Sequence, residues 1–131
     1  MSSGEHRWRS PVGSGHRAIT RELNISERLG WPTRSFVLVT KTVLLVVQSG
    51  YQSNRRQASF ATFGRSVYDL NNLEPKLTAY DKASGRLLAE VPLPANASGA
   101  PMTYTAGGKQ YVAFSVGGSN LTEELIALAL P

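Results

Sequence analysis

At 131 residues, with no cysteine and an ordinary 41% apolar content, the chain suffices for one modest core and excludes wholesale disorder, disulfides, cysteine-based zinc sites and thiol catalysis. The net charge of +5 is uneven: residues 1–65 hold ten Lys or Arg against three Asp or Glu, and residues 66–131 hold four against six. The basic residues are dispersed, with Arg55-Arg56 the one adjacent pair, so they read as solvated charges rather than a nucleic-acid footprint.

The N-terminus lacks the apolar core of a signal peptide, and the longest aliphatic run, Val43 to Val47, is far too short to span a membrane. Residues 1–35 form a loop-rich segment punctuated by Pro11, Gly13, Gly15 and Pro32. A short helical turn is expected over Thr20 to Leu29, with Thr20 or Asn24 as caps. Phe36 to Thr40 and Val43 to Gln48 carry the strongest strand signal, joined by a tight turn at Lys41-Thr42. Their near-continuous apolarity predicts burial on both faces.

Ser49 to Pro75 is a long polar insertion between strands. Leu77 to Tyr80 and Arg86 to Val91 then read as a hairpin that Pro92 and Pro94 stop. Asp81 and Ser84 are placed to cap its turn through local hydrogen bonds, and Gly85 supplies a positive φ. A second hairpin is expected over Pro101 to Thr105 and Gln110 to Val116, around Gly107-Gly108. Gly117 to Glu124 reads as a loop and Leu125 to Leu130 as a last strand. Residues 36–131 thus hold two related units in tandem, the second stopping early.

Few residues invite chemistry. His6 and His16 have no carboxylate at ligand spacing and read as surface histidines. Asp81 has a structural explanation in its turn, and Glu123-Glu124, being adjacent, point apart on a strand. Asn71-Asn72 is too isolated for a calcium cage. Gly117-Gly118-Ser119-Asn120 lacks the Lys-Ser/Thr ending of a phosphate-binding loop.

The stretch Ala79-Tyr80-Asp81-Lys82-Ala83-Ser84-Gly85-Arg86-Leu87-Leu88-Ala89 fits the pattern A-x-D-x-x-[ST]-G-x-x-x-W except at Ala89. Repeated around a ring, this unit is the outer hairpin of a β-propeller blade, its Trp docking on the next blade. With Ala89 in that place, a weaker joint is expected. Gly4-Glu5 followed by Trp8 resembles the end of another such repeat. With Gly30-Trp31-Pro32, Pro101-Met102-Thr103-Tyr104, Gly108-Lys109-Gln110-Tyr111-Val112 and the terminal Ile126 to Pro131, the chain resembles the C-terminal end of the membrane-associated quinoprotein dehydrogenases.

The resemblance implies an all-β fold: a partial β-propeller of about two blades out of an eight-bladed ring, with long loops. It implies oxidation of sugars or polyols such as glucose and quinate with pyrroloquinoline quinone (PQQ) and calcium, ubiquinone taking the electrons in the full-length family. The calcium ligands and the catalytic Asp belong to earlier blades, so no catalytic residue is assigned and the chain alone is expected to be inactive. Met102, Thr103, Gly117 and Gly118 are the candidate contributors to the cofactor funnel wall. The partners expected are the remaining blades, or further copies of the chain through exposed strand edges. The family is periplasmic, on the inner membrane. The chain as given has no export signal and is expected in the cytoplasm if expressed alone, as though an ancestral N-terminus were missing. The alternative is a non-catalytic propeller scaffold similar to outer-membrane assembly lipoproteins.

Overall fold

The computed structural model describes residues 4–15, 17–30, 35–48, 75–118 and 121–130. Among these residues, one short helix, α1 (Arg17–Glu22), precedes seven strands: β1 (Ser35–Val39), β2 (Val43–Gln48), β3 (Lys76–Asp81), β4 (Leu87–Pro92), β5 (Met102–Ala106), β6 (Lys109–Gly118) and β7 (Leu121–Ala129). They form two antiparallel sheets, four-stranded β1-β2-β3-β4 and three-stranded β5-β6-β7, each in simple chain order. This is the all-β, open-sheet architecture expected of consecutive propeller blades. The polar insertion at 49–74, with Arg55 and Arg56, and His16 lie outside the described residues.

α1 lies earlier than the helical turn expected over Thr20 to Leu29. Asn24, at φ 49°, ends it. The amide of Ile25 donates to Thr20 O at 2.8 Å and that of Asn24 to Arg21 O at 3.3 Å, the paired bonds of a Schellman motif with Asn in the left-handed position.

The two sheets share one core. Leu45, Val47 and Leu77 from the first sheet meet Val112, Phe114 and Val116 from the second, and Phe36, Leu38, Ala79, Ile126 and Leu128 extend the contact. The connection between the sheets adds Leu93, Ala95 and Ala97. Alternation explains the choice, because residues two apart share a face of the pleat. Burial of both faces holds for the end of β2, where Leu45 to Gln48 are all buried. It fails for β1, whose Val37 and Val39 are 51% and 59% exposed. β1 is an edge strand, and only its Phe36 and Leu38 reach the core.

The loop expected over Gly117 to Glu124 is also corrected. β6 runs on to Gly118 and β7 starts at Leu121, with Val116 opposite Glu124 and Gly118 opposite Leu121 across a register shift. Two glycines and two glutamates are poor strand formers, but pairing with a long neighbouring strand overrides that preference. Gly117 permits the close pairing, since a Cβ there would sit 3.0 Å from Glu123 Cα.

The two ends of the sheets divide by role. The turns at 40–42, 82–85 and 107–108 lie at one end of the sheets, and Thr42 O accepts from the Lys82 amide at 2.9 Å. At the opposite end, the β4–β5 connection is bonded to both sheets: Ala97 N to Gln48 O, Ser98 N to Ser115 O, and Gly117 N to Asn96 O, each 3.0 Å.

Candidate functional site

Two places concentrate specific contacts. The first is the turn between β3 and β4. The Asp81 carboxylate accepts from the Ser84 amide at 2.8 Å and from its hydroxyl at 2.6 Å, while Asp81 O accepts from the Gly85 amide at 2.8 Å. Gly85 sits at φ 73°, a region open to Gly at little cost. A Cβ there would lie 2.4 Å from Trp8 Cδ2, because the indole covers the glycine. Trp8 Nε1 donates to Lys82 O at 3.0 Å, and the indole stacks on Tyr80 with centroids 6.2 Å apart. Tyr80 is 2% exposed, and its hydroxyl has no described hydrogen-bond partner.

The sequence explains why Trp8 is the docking residue. It follows Gly4 by four positions, as Ala89 follows Gly85, and Gly4 is also left-handed at φ 62°. The turn therefore receives the indole of the preceding repeat. The anchor missing at Ala89 belongs to a different joint, and Ala89 is itself exposed. A second clamp holds the N-terminal segment on the same sheet. Arg28 Nη2 and Lys76 Nζ meet the Glu90 carboxylate at 2.7 and 3.1 Å, and the Thr78 hydroxyl is 3.4 Å from it. Charge composition alone does not single out Glu90, because the sequence does not place Arg28 beside it.

The Ser84 hydroxyl first, and its amide second, hold the Asp81 carboxyl below its ordinary value of 3.8. A carboxyl depressed by folding stabilises the fold above its unfolded pKa, and that contribution is lost as pH falls through the folded value. Acid unfolding followed below pH 3.8 is therefore expected to show an added loss of stability in the parent that Asp81→Asn lacks. Identical acid limbs in both proteins would refute this assignment.

The second place is the second sheet, which carries the four funnel-wall candidates. Met102 is 59% exposed, opposite Ala113. Thr103 is opposite Val112, donates its hydroxyl to Tyr111 O at 2.9 Å and accepts from Gln110 Nε2 at 2.9 Å. Gly117 and Gly118 lie further along β6, beside the connection rather than beside Met102 and Thr103. From Ala113 to Gly117 the strand advances roughly 13 Å at about 3.3 Å per residue. The structure thus separates the candidates into two pairs on one sheet.

Between the pairs lies a polar cluster that sequence reasoning missed. The Ser98 hydroxyl donates to Glu123 Oε1 at 2.7 Å and is 2.9 Å from Ser115 Oγ, which acts as its donor because Ser98 has a single proton. A Cβ on Gly99 would come 2.7 Å from Ser115 Oγ. These residues come from three separated segments, so no local motif announces them.

The described residues do not compose a PQQ or calcium site by themselves. Thr103's hydroxyl is engaged within the sheet, Met102 brings a thioether, and the glycines offer only backbone. No group of three or more His, Cys, Asp or Glu able to hold a metal ion occurs among the described residues.

The family model for the PQQ-type glucose/ethanol/alcohol dehydrogenase β-propeller domain matches residues 1–112. The chain belongs to this propeller family. It is 34% identical over 76 residues to the quinoprotein glucose dehydrogenase of Escherichia coli (strain K12), covering 54% of this chain and 10% of that protein. It is 35% identical over 78 residues to quinoprotein glucose dehydrogenase A of Acinetobacter calcoaceticus, covering 56% and 10%. It is 32% identical over 78 residues to the glycerol dehydrogenase large subunit of Gluconobacter oxydans (strain 621H), covering 56% and 10%. The propeller chain aligns with about a tenth of the length of these curated relatives. No solved structure matches it at the same stringency. Among the described residues, no helix is long and apolar enough to cross a membrane.

Proposed function

We propose that the chain forms two consecutive blades of a PQQ-dependent dehydrogenase that oxidises a sugar or polyol and passes the electrons to a quinone. The observation that carries this reading is the docking of Trp8 on the Gly85 turn, a joint between successive repeats of one ring. The relatives named for glucose and glycerol oxidation support a polyhydroxy substrate, with quinate a further member of that class. In the complete ring, PQQ and calcium held mainly by the other blades would supply the redox chemistry. Met102, Thr103, Gly117 and Gly118 contribute to the wall around that centre, on the periplasmic side of the inner membrane. The catalytic base and the metal ligands come from other blades, which are the chain's partners.

Catalysis requires the cofactor, metal and base in one geometry. The purified chain, supplied with PQQ, calcium and glucose, glycerol or quinate, is therefore expected to give no dye reduction above a protein-free blank. Co-refolding with the remaining blades of a quinoprotein glucose dehydrogenase should restore PQQ-dependent turnover. Robust turnover by the chain alone, or a co-refolded ring that binds PQQ without turning over any of the three substrates, would overturn the reading.

A further inference from the structure

Three stretches of the chain have an Asn followed two residues later by Ser or Thr, with no Pro between: Asn24-Ile25-Ser26, Asn96-Ala97-Ser98 and Asn120-Leu121-Thr122. This is the acceptor pattern for N-linked oligosaccharide, in which the transferase engages the hydroxyl at the third position. We propose that Asn24 is such an acceptor, taking a glycan from a lipid-linked oligosaccharide diphosphate. This builds on the periplasmic reading above, because bacterial transfer from that donor takes place on that side of the inner membrane.

The three stretches differ in chemistry and in access. Bacterial transferases also select an acidic residue two positions before the Asn, which pairs with a cationic group of the enzyme. Asn24 alone has one: Glu22 precedes it, whereas Pro94 precedes Asn96 and Gly118 precedes Asn120. Glu22, Leu23, Asn24 and Ser26 are all exposed. Asn96 is half-buried and held between the sheets. Its O accepts from the Gly117 amide and the Ala97 amide donates to Gln48 O, each at 3.0 Å, and the Ser98 hydroxyl is bound to Glu123. Asn120 lies outside the described residues.

The backbone suits capture, because an acceptor must turn sharply to bring its amide to the donor. Asn24, at φ 49°, already lies in a turn, at the end of the six-residue helix α1, and its own amide is held by a 3.3 Å bond to Arg21 O. So short a helix is marginal by itself and opens at small cost. Four residues further on, Arg28 is bound to Glu90 of β4, the last strand of its sheet and exposed along its whole length. The segment is thus tethered at the rim of the ring, and a glycan there leaves the central funnel clear. In the transfer, Asn24 Nδ2 bonds to the anomeric carbon and the bond from that carbon to the diphosphate oxygen breaks. A carboxylate of the transferase takes the amide proton, and the lipid diphosphate leaves.

The folded chain, incubated with a purified bacterial oligosaccharyltransferase and lipid-linked oligosaccharide, is expected to gain one glycan by intact mass, mapped to Asn24 by peptide mass spectrometry. Asn24→Gln and Ser26→Ala should abolish the gain, and Ser26→Thr should keep it. Glu22→Gln should slow transfer at least about tenfold, through loss of a charged contact with the enzyme. These side chains are exposed, so each variant should keep the far-ultraviolet circular dichroism spectrum of the parent. No transfer to the folded chain, transfer to Asn96 in place of Asn24, or a Glu22→Gln variant as fast as the parent would overturn the proposal. The assay uses purified components and reads mass, whereas the family reading is tested by restored turnover with the missing blades, so each can fail without the other.

Discussion

Phe114→Ala should abolish cooperative unfolding of the isolated chain. Phe114 is 2% exposed and among the largest fully buried side chains, on the face of β6 that meets Leu45, Val47 and Leu77. It pairs with Ile126 within its own sheet and shares the core cluster with Leu45, Val47 and Leu77 of the other. Truncating a buried Phe to Ala costs about 3–5 kcal/mol, through lost transfer energy and the cavity left behind. An intact domain has a total stability of only about 5–15 kcal/mol. A pair of small sheets, one of four strands and one of three, belongs at the lower end of that range, where the loss removes most of the margin. Thermal and urea melts by circular dichroism check this. A parent-like midpoint in the variant would show that the two sheets are stabilised independently and share no core.

Gly85→Ala should be nearly as costly, and Trp8 should account for most of the cost. The new Cβ would lie 2.4 Å from Trp8 Cδ2, so the indole must leave its seat on Tyr80 and give up its bond to Lys82 O. Placing a non-glycine residue in the left-handed region adds about 1–2 kcal/mol. Together the single substitution should cost about 2–4 kcal/mol. Trp8→Ala alone should cost about 2 kcal/mol, from lost burial of a half-covered ring and one hydrogen bond. In the Trp8→Ala background, Gly85→Ala should retain only the backbone cost. The coupling in the double-mutant cycle is therefore expected to exceed about 1 kcal/mol. Additive losses would mean that Trp8 does not occupy the Gly85 seat in solution. The same displacement should shift the Trp8 emission to the red as the indole enters water.

Several elements were legible from local chemistry. The runs Phe36 to Thr40 and Val43 to Gln48 announce strands because β-branched and aromatic residues fit a pleated, half-buried surface. The Asp81-x-x-Ser84-Gly85 turn is legible because its bonds are made within five residues. The Gly107-Gly108 turn is legible because both φ values, 56° and 76°, belong to glycine. These local signals, repeated along one chain, also carried the family resemblance.

What escaped depends on which segments meet. The strand character of Gly117, Gly118, Glu123 and Glu124 comes from the pairing of β6 with β7, against the preferences of the residues themselves. The exposure of Val37 and Val39 follows from β1 lying at an edge, which an apolar sequence run does not record. The candidate site divides in the same way. Met102, Thr103, Gly117 and Gly118 were legible as residue types, but their distribution along β5 and β6 was not. The Ser98, Ser115 and Glu123 cluster, like the Arg28–Glu90–Lys76 clamp, joins segments far apart in the chain. By itself, then, the sequence determined the strands, the turns and the family, because those follow from propensity and hydrogen bonds among near neighbours. Only the tertiary structure decided which described strands are edges and which polar groups converge, because these depend on contacts that no local spacing encodes.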